Sequence, residues 1–328
     1  MTVSFLIPLY NCLALTQAML ASLRATLPAG LAHEIIFIDD GSTDGTRPWL
    51  ASLATDPAIR VVLQRENLGY AAANNAGAAV ARGEFFALLN NDLVLSPGWL
   101  EPMLAAHRAY GDRAGLVGNL QLDAKTGALD HAGIAINLQG KPEHLRRGPG
   151  APPTSDPAAR PPSLGLSLFL LRLFCPHRRS VAVTGACVLV RRALWEKLGG
   201  FDEKFINGCE DVDLCLRAAA AGHVNLVALR SVVRHHISSS PGRKLRDEAN
   251  TRHLVLRWHD TLCLLGARLW CRDHLETYLR DPRNFPDPAV ARQAFFYALH
   301  FRRTPPPRAL TGMARNLSRE LSRWQKIL

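Results

Sequence analysis

The 328-residue chain reads as an α/β protein with a mostly parallel sheet flanked by helices, followed by a basic helical extension. Three observations predict this. Short apolar runs alternate with Ala/Leu-rich segments of helical spacing, which is the pattern of parallel strands joined by crossover helices. Hydrophobic residues make up 48% of the chain, enough to bury a full core. The formal charge of +11 is uneven: residues 241–328 hold 17 Lys/Arg against 8 Asp/Glu, and residues 1–240 are close to balance. The expected division is one α/β domain over 1–240 and an extension over 241–328.

The first strand is VSFLIPLY (3–10), and LALTQAMLASLRATL follows as a helix. EIIFIDD (34–40), IRVVLQ (59–64) and EFFALLN (84–90) read as further strands, with a helix in GYAAANNAGAAVARG between the last two. The character changes over about 137–180. GKPEHLRRGPGAPPTSDPAARPPS is rich in Pro, Gly and Arg, so 140–180 reads as a variable insert with a long surface loop. LGLSLFLLRLF (164–174) is apolar, but at 11 residues with Arg172 inside it is too short to span a bilayer. A buried segment and an interfacial one both remain open for it. Order resumes with a strand in SVAVTGACVLVRR. A helix in RRALWEKLGGFDE then ends at Gly199-Gly200, and a helix in CEDVDLCLRAAAAGH starts with acids and ends at Gly222. VNLVALRSVVRHH is the last strand, ending at His235-His236. The remainder is helical in pattern, broken by DPRNFPDP and TPPP.

Several classes are excluded. No GxGxxG follows the first strand and no GxxxxGK[ST] occurs, which argues against a dinucleotide-binding dehydrogenase and a P-loop enzyme. The seven cysteines are scattered without a CxxC pair, as reduced core thiols of a cytoplasmic protein would be. The apolar N-terminus has no basic leader, its first Arg is Arg24, and Pro8 and Asn11 interrupt it, so it does not read as a signal peptide. The basic extension suits nucleic acid, an anionic membrane surface or a solvated helical face. Its arginines are interleaved with Leu, Trp and acids in no nucleic-acid motif, so no nucleic acid is expected.

Four polar clusters carry the candidate chemistry: Asp39-Asp40, Asn90-Asn91-Asp92, Glu210-Asp211-Asp213 and His235-His236. Each has an ordinary reading. Asn90–Asp92 suits a turn as well as a hard cation. DDGSTDGT suits a helix N-cap, EDVD a first helical turn, and HH a pair of surface histidines. Ligands of open α/β sheets bind at the carboxyl ends of strands. PLYN, DDGSTDGT and NND would all lie on that rim.

VSFLIPLYN, EIIFIDDGSTDGT, NLGYAAANNAGAAVARGEFFALLNND, VTGACVLVRRALWEKLGGFDEKF and EDVDLCLRAAAAGH together resemble the ordered motifs of the family-2 inverting glycosyltransferases. These have the GT-A fold, and the likeness is to bacterial polysaccharide and rhamnosyltransferase-like members. The resemblance runs from residue 2 to about 240, and NTRHLVLRWHDTL is similar to the helix that follows in bacterial members. It implies that Pro8, Tyr10, Asp40, Asn67 and Asn91 hold a UDP- or dTDP-linked sugar donor, with Asp39 in support. Gly185 and Ala186 would let backbone approach the donor sugar. Asp92 and His235, with His236 as the fallback, would bind Mg²⁺ or Mn²⁺; NND keeps one acid where other members have two. Asp211 would be the base, with Glu210 or Asp213 positioning the acceptor.

The implied enzyme is a metal-dependent glycosyltransferase of cell-surface polysaccharide synthesis, acting on a saccharide or lipid-linked acceptor. It would be cytoplasmic, with the basic tail against the inner face of the membrane. Leu254 stands where the QxxRW motif of processive synthases has Gln, so a single addition is expected. The alternatives are an inactive sugar-nucleotide-binding protein and a nucleotidyltransferase-like protein, and the glycine-rich phosphate loop of the latter is missing.

Overall fold

The computed structural model describes residues 1–146, 175–236, 246–281 and 287–328. LGLSLFLLRLF and residues 147–163 of the Pro-rich insert lie outside the described residues, as does the stretch after His236. The chain forms two compact units, Met1–Ile134 with His144–Arg243, and Ala135–Glu143 with Lys244–Leu328. The second unit therefore includes a short internal stretch that the sequence reading gave to the first domain.

In the first unit, β1 (Thr2–Leu9), α1 (Leu13–Thr26), β2 (Ala32–Asp40), α2 (Thr46–Ser52), β3 (Ile59–Gln64), α3 (Tyr70–Val80) and β4 (Phe85–Leu89) alternate as the spacing predicts. They continue into β5 (Leu93–Leu95), α4 (Glu101–Tyr110), β6 (Ala114–Asp123) and β7 (Leu129–His131). After the hairpin of β8 (Ile134–Ile136) and β9 (Pro142–His144), most of which belongs to the second unit, come β10 (His177–Arg179), β11 (Cys187–Arg191), α5 (Arg192–Leu198), α6 (Glu210–Ala220) and β12 (Val224–His235).

The sheet order is β10-β12-β6-β11-β4-β1-β2-β3. Pairing makes β1 to β4, β6 and β12 run one way, with β10 and β11 opposed. The sheet is thus mostly parallel, as expected. Its strands are apolar on both sides because both faces are covered. Phe5, Ile7 and Phe37 pack under α1, α2 and α4. On the opposite side Gly77 of α3 lies against Leu6 and Ile38, and Trp195 of α5 meets Phe86 edge-on at 6.1 Å.

One predicted strand is corrected. SVAVTGACVLVRR is strand only from Cys187; Thr184 to Ala186 form a turn beside the end of β4, where Asn90 N–H donates to Ala186 O at 2.8 Å. Chain reversal at β4 puts the polar end of β11 on the same rim as the end of β4.

The second unit contains α7 (Asp247–Arg280), α8 (Pro288–Ala298) and α9 (Pro307–Ile327), and α7 bends at Trp258 (φ −118°, ψ 23°). Among the described residues no helix is long and apolar enough to cross a membrane. Ala309, Met313, Leu317 and Trp324 form the buried face of α9. Glu248 gathers three partners: Lys141 Nζ at 2.7 Å, Arg323 at 2.6 Å and the Trp324 indole N–H. Burial pushes this carboxyl up, but Lys141, Trp324 and Arg323 outweigh it and bring it from 4.5 to about 2. The stabilisation is therefore complete above pH 4.5, declines below it and is gone under pH 2. Glu248 is more than a third exposed, so the contribution is about 1 kcal/mol. Glu248→Gln should reduce hydrogen-exchange protection of the α9 amides by about that amount at pH 7. Its deficit should close as the pH approaches 2. A deficit that persists undiminished in acid would mean the charge is not its source.

Candidate active site

Chain order in the sheet reverses between β1 and β4: β2 and β3 extend from one side of β1, and β4 lies on the other. The crevice at such a switch point is where an open α/β sheet offers its strand ends to a ligand. Here it is a cavity of about 220 Å³. Pro8, Tyr10, Asp40, Asn67, Asn91, Asp92, Gly185, Ala186 and Asp211 all line it, whereas His235, His236, Asp39 and Asp213 do not.

Each wall has a local cause. Parallel pairing sets Leu9 opposite Asp39, so β1 and β2 end together and bring Tyr10 and Asp40 to the same rim. Asp40 is buried. Its Oδ1 accepts from Leu68 N–H at 2.8 Å and its Oδ2 from Gly69 N–H at 2.9 Å, so it fixes the entry to α3 from a distant strand. Burial raises its pKa; the two N–H groups oppose that, and the neighbouring Asp39 adds to it. Asp39 points elsewhere, into an ion pair with Arg47 at 2.6 Å, and so supports the strand end without lining the cavity. Gly41 turns the chain at φ +81°, and a Cβ there would lie 2.7 Å from the Glu66 carbonyl carbon.

Asn91 and Asp92 sit in a turn that also faces the cavity, so the turn and ligand readings of NND are compatible. Asp92 is followed by β5, which pairs antiparallel with β12 in a register that opposes Leu93 to His235. That register brings His235 Nε2 to 3.1 Å from Asp92 Oδ1, while the His236 N–H donates to the Asp92 backbone carbonyl at 3.0 Å. Two ligand atoms on one divalent ion, with bonds of about 2.1 Å at a right angle, stand about 3 Å apart. The pair therefore fits such an ion. No group of three His, Cys, Asp or Glu side chains suited to a metal exists among the described residues, so other ligands would have to complete the shell.

Asp211 lies in the first turn of α6, and its Oδ2 accepts from Gly185 N–H at 2.8 Å. Glu210 also lines the cavity and accepts from Gly208 N–H at 2.6 Å. Asp213 does not belong to the site, contrary to one expectation. It is fully buried against Arg217 at 2.8 Å, and Arg217 in turn binds Leu198 O and Gly200 O. One helical turn separates Asp213 from its i+4 partner, which captures it inside the fold.

Three contributors went unnoticed in the sequence. Tyr70 donates its hydroxyl to Gly185 O at 2.7 Å, while its own N–H donates to Asn207 Oδ1 at 3.0 Å. Burial, with Glu210 and Asp211 nearby, raises the Tyr70 pKa far above the usual value, so it stays a donor. A Cβ on Gly185 would stand 3.0 Å from that hydroxyl, so glycine here makes room for Tyr70. His131 Nε2 accepts from Gly133 N–H and, at 3.4 Å, from Thr184 N–H; burial pushes its pKa well down and keeps it neutral. No local pattern marks these residues, because their partners are remote in sequence.

Gly41→Ala should destabilise the first unit by about 3 kcal/mol, since positive φ and a backbone clash add. Gly30→Ala, at φ +73° with open space around it, should cost only about 1 kcal/mol. Equal shifts in denaturation midpoint would show that the Glu66 backbone yields to a Cβ.

The chain matches the family described as Glycosyl transferase family 2 over residues 4–136. It is 30% identical over 260 residues to the N-acetylglucosaminyl-diphospho-decaprenol L-rhamnosyltransferase of Mycobacterium tuberculosis, covering 75% of this chain and 79% of that protein. It is 31% identical over 212 residues to the O-antigen biosynthesis protein RfbC of Myxococcus xanthus, covering 63% of this chain and 15% of the other. A protein of Sinorhizobium fredii, y4gI, is 32% identical over 77% of this chain, which spans 28% of its length. The chain therefore spans less than a third of two of these relatives. Among solved structures, GalNAc-T7 with UDP, GalNAc and Mn²⁺ superposes with a TM-score of 0.62 at 18% identity, covering 92% of this chain and 55% of that one. The mannosyltransferase PcManGT of Pyrobaculum calidifontis, in complex with GDP-Man and Mn²⁺, gives 0.53 at 18% identity, covering 98% and 86%. At those identities the two structures speak for the fold alone. With a rhamnosyltransferase matched along most of both lengths and the strand-end motifs gathered in one cavity, the chain belongs to glycosyl transferase family 2.

Proposed function

We propose that this cavity transfers one sugar, with inversion, from a nucleoside-diphosphate donor to a hydroxyl of a saccharide or lipid-linked acceptor in cell-surface polysaccharide synthesis. The observation that carries the reading is that Asp40, Asp92 and Asp211, far apart in sequence, line one cavity at the strand ends. The rhamnosyltransferase relative, named for a lipid-diphosphate-linked acceptor, supports the acceptor class. The nucleotides and Mn²⁺ named for the two superposed structures support the donor class and a divalent ion.

A carboxylate has about four lone-pair sites, and backbone N–H groups take two of those on Asp40. The remainder can accept the imide N–H of uracil or thymine, with Pro8, Tyr10 and Asn67 around the base. Asp92 and His235 hold Mg²⁺ or Mn²⁺, and the imidazole favours Mn²⁺. When bound, that ion acts as a Lewis acid toward the diphosphate. Asp211 takes the proton of the acceptor hydroxyl as its oxygen bonds to the anomeric carbon. The bond from that carbon to the diphosphate oxygen breaks, and its electron pair leaves with the nucleoside diphosphate. The Gly185 N–H on Oδ2 holds the Asp211 carboxylate in orientation, and Tyr70 holds Gly185. The basic C-terminal unit places the enzyme at the anionic inner surface of the membrane, where a lipid-linked acceptor lies.

Asp211→Asn should lower the turnover of nucleoside-diphosphate release at least about a hundredfold while donor binding persists. Full activity in that variant would remove Asp211 as base, and donor binding without transfer to any acceptor in the wild type would favour a non-catalytic binder. His235→Ala should raise the Mn²⁺ concentration for half-maximal activity at least about tenfold, since even outer partners of metal ligands matter that much. An unchanged Mn²⁺ requirement would exclude His235 from the metal site.

A further inference from the structure

The α8 helix is apolar on two opposite sides, and the second unit uses only one of them. Ala291, Ala294, Tyr297 and Ala298 form its inner face, packed with Ala267, Cys271 and Ala309. Phe295, Phe296 and Leu299 stand on the outer face, together with Arg292 at helical spacing. A helix that is hydrophobic all round is normally buried all round. Here Phe295 is 47% exposed, Phe296 46% and Leu299 50%.

The chain leaving the helix enlarges this patch. His300 takes φ +65°, and the N–H groups of Phe301 and Arg302 both donate to Phe296 O, at 2.9 and 3.1 Å. The turn folds Phe301 back beside Phe296, with ring centroids 6.4 Å apart, and leaves Phe301 76% exposed. Phe295 meets Phe296 at 5.7 Å, so three rings form one continuous cluster. Exposed cations adjoin it: Arg292 on the same helical face and Arg303 just past the turn.

We propose that the Phe295–Phe296–Leu299–Phe301 cluster is a membrane-insertion patch that seats the second unit on an anionic lipid bilayer. Aromatic rings lower into the headgroup boundary while flanking arginines meet lipid phosphates. The charge pattern selects this occupant. The centre of a protein–protein interface is depleted of charge, and a second copy of this chain would bring the same arginines toward one another across a two-fold axis. An anionic bilayer satisfies the rings and the cations together. The inference rests on the membrane reading of the C-terminal unit and is independent of the transfer chemistry.

The test is flotation of the full chain with vesicles of phosphatidylcholine alone and of phosphatidylcholine with phosphatidylglycerol. The wild type should float with the anionic vesicles, and F295S/F296S/F301S should lose at least about tenfold in apparent affinity. An unchanged melting temperature in the triple variant would show that it folds, and F301S alone, outside the helix, should give a partial loss. R292Q/R303Q should weaken binding and reduce its sensitivity to salt. Equal flotation of wild type and triple variant would overturn the patch while leaving a charge-driven membrane surface standing. A wild type that ignores anionic vesicles would overturn both. A concentration-dependent dimer that the triple variant abolishes would reassign the patch to contact between copies of this chain.

Discussion

Two carboxylates, each bonded to the backbone of a loop far away in sequence, keep the cavity in shape. Asp40 at the end of β2 binds the two N–H groups that lead into α3, and Asp211 in α6 binds Gly185 ahead of β11. Tyr70 closes the circuit, with its N–H on Asn207 and its hydroxyl on Gly185. A carboxylate taken out of water is costly unless its oxygens are hydrogen-bonded. The burial of Asp40 and the half-burial of Asp211 therefore specify where the loops must run. The same bonds leave lone pairs facing the cavity, so structure and candidate chemistry draw on the same side chains.

The cavity is also where the backbone is least relaxed. Asn11, Cys12, Asn207, Cys209 and His300 are the non-glycine residues with positive φ among those described, and all but His300 lie at the cavity rim or lead into α1 and α6. Such conformations persist only when their surroundings fix them. Asn11 is fixed through its side chain, which accepts from Thr43 N–H, and through its N–H, which donates to Ser42 Oγ. Asn207 is fixed through Tyr70. Strain held by crossing hydrogen bonds fixes the shape of the rim before any ligand arrives.

The second unit follows another logic. Its α9 helix resolves its amphipathic pattern in the ordinary way, with Met313, Leu317 and Trp324 inward and arginines outward. Glu248 ties that helix to the start of α7 and to Lys141 of the internal hairpin through charged hydrogen bonds. By contrast, α8 leaves Phe295 and Phe296 outside, and the turn after it leaves Phe301 outside as well. Exposed aromatic clusters of this kind are unfavourable in water and persist where a function uses them. The basic charge of the C-terminal quarter and this apolar cluster therefore lie in the same unit, the first excess charge and the second uncovered apolar surface.

The amino-acid sequence determined the early strands and helices, because apolar runs ending in acids and helices closed by glycine are local patterns that need no partner to be recognised. It also marked the polar clusters that hold Asp40, Asp92 and Asp211, since each ends or follows a strand or opens a helix. It did not show β6, whose buried Asn119 and Gln121 interrupt the apolar run and are tolerated only through contacts with Cys187 and with each other. It did not show that His235 meets Asp92 either. The pairing of β12 with β5 sets that contact, because one residue of register turns a side chain to the other face of the sheet. Tyr70, Asn207 and His131 joined the site, and Asp213 left it, for the same reason. Hydrogen-bond partners 50 or more residues away exist only once the sheet has formed, whereas the Arg217 that claims Asp213 sits one helical turn away and wins once the helix is buried.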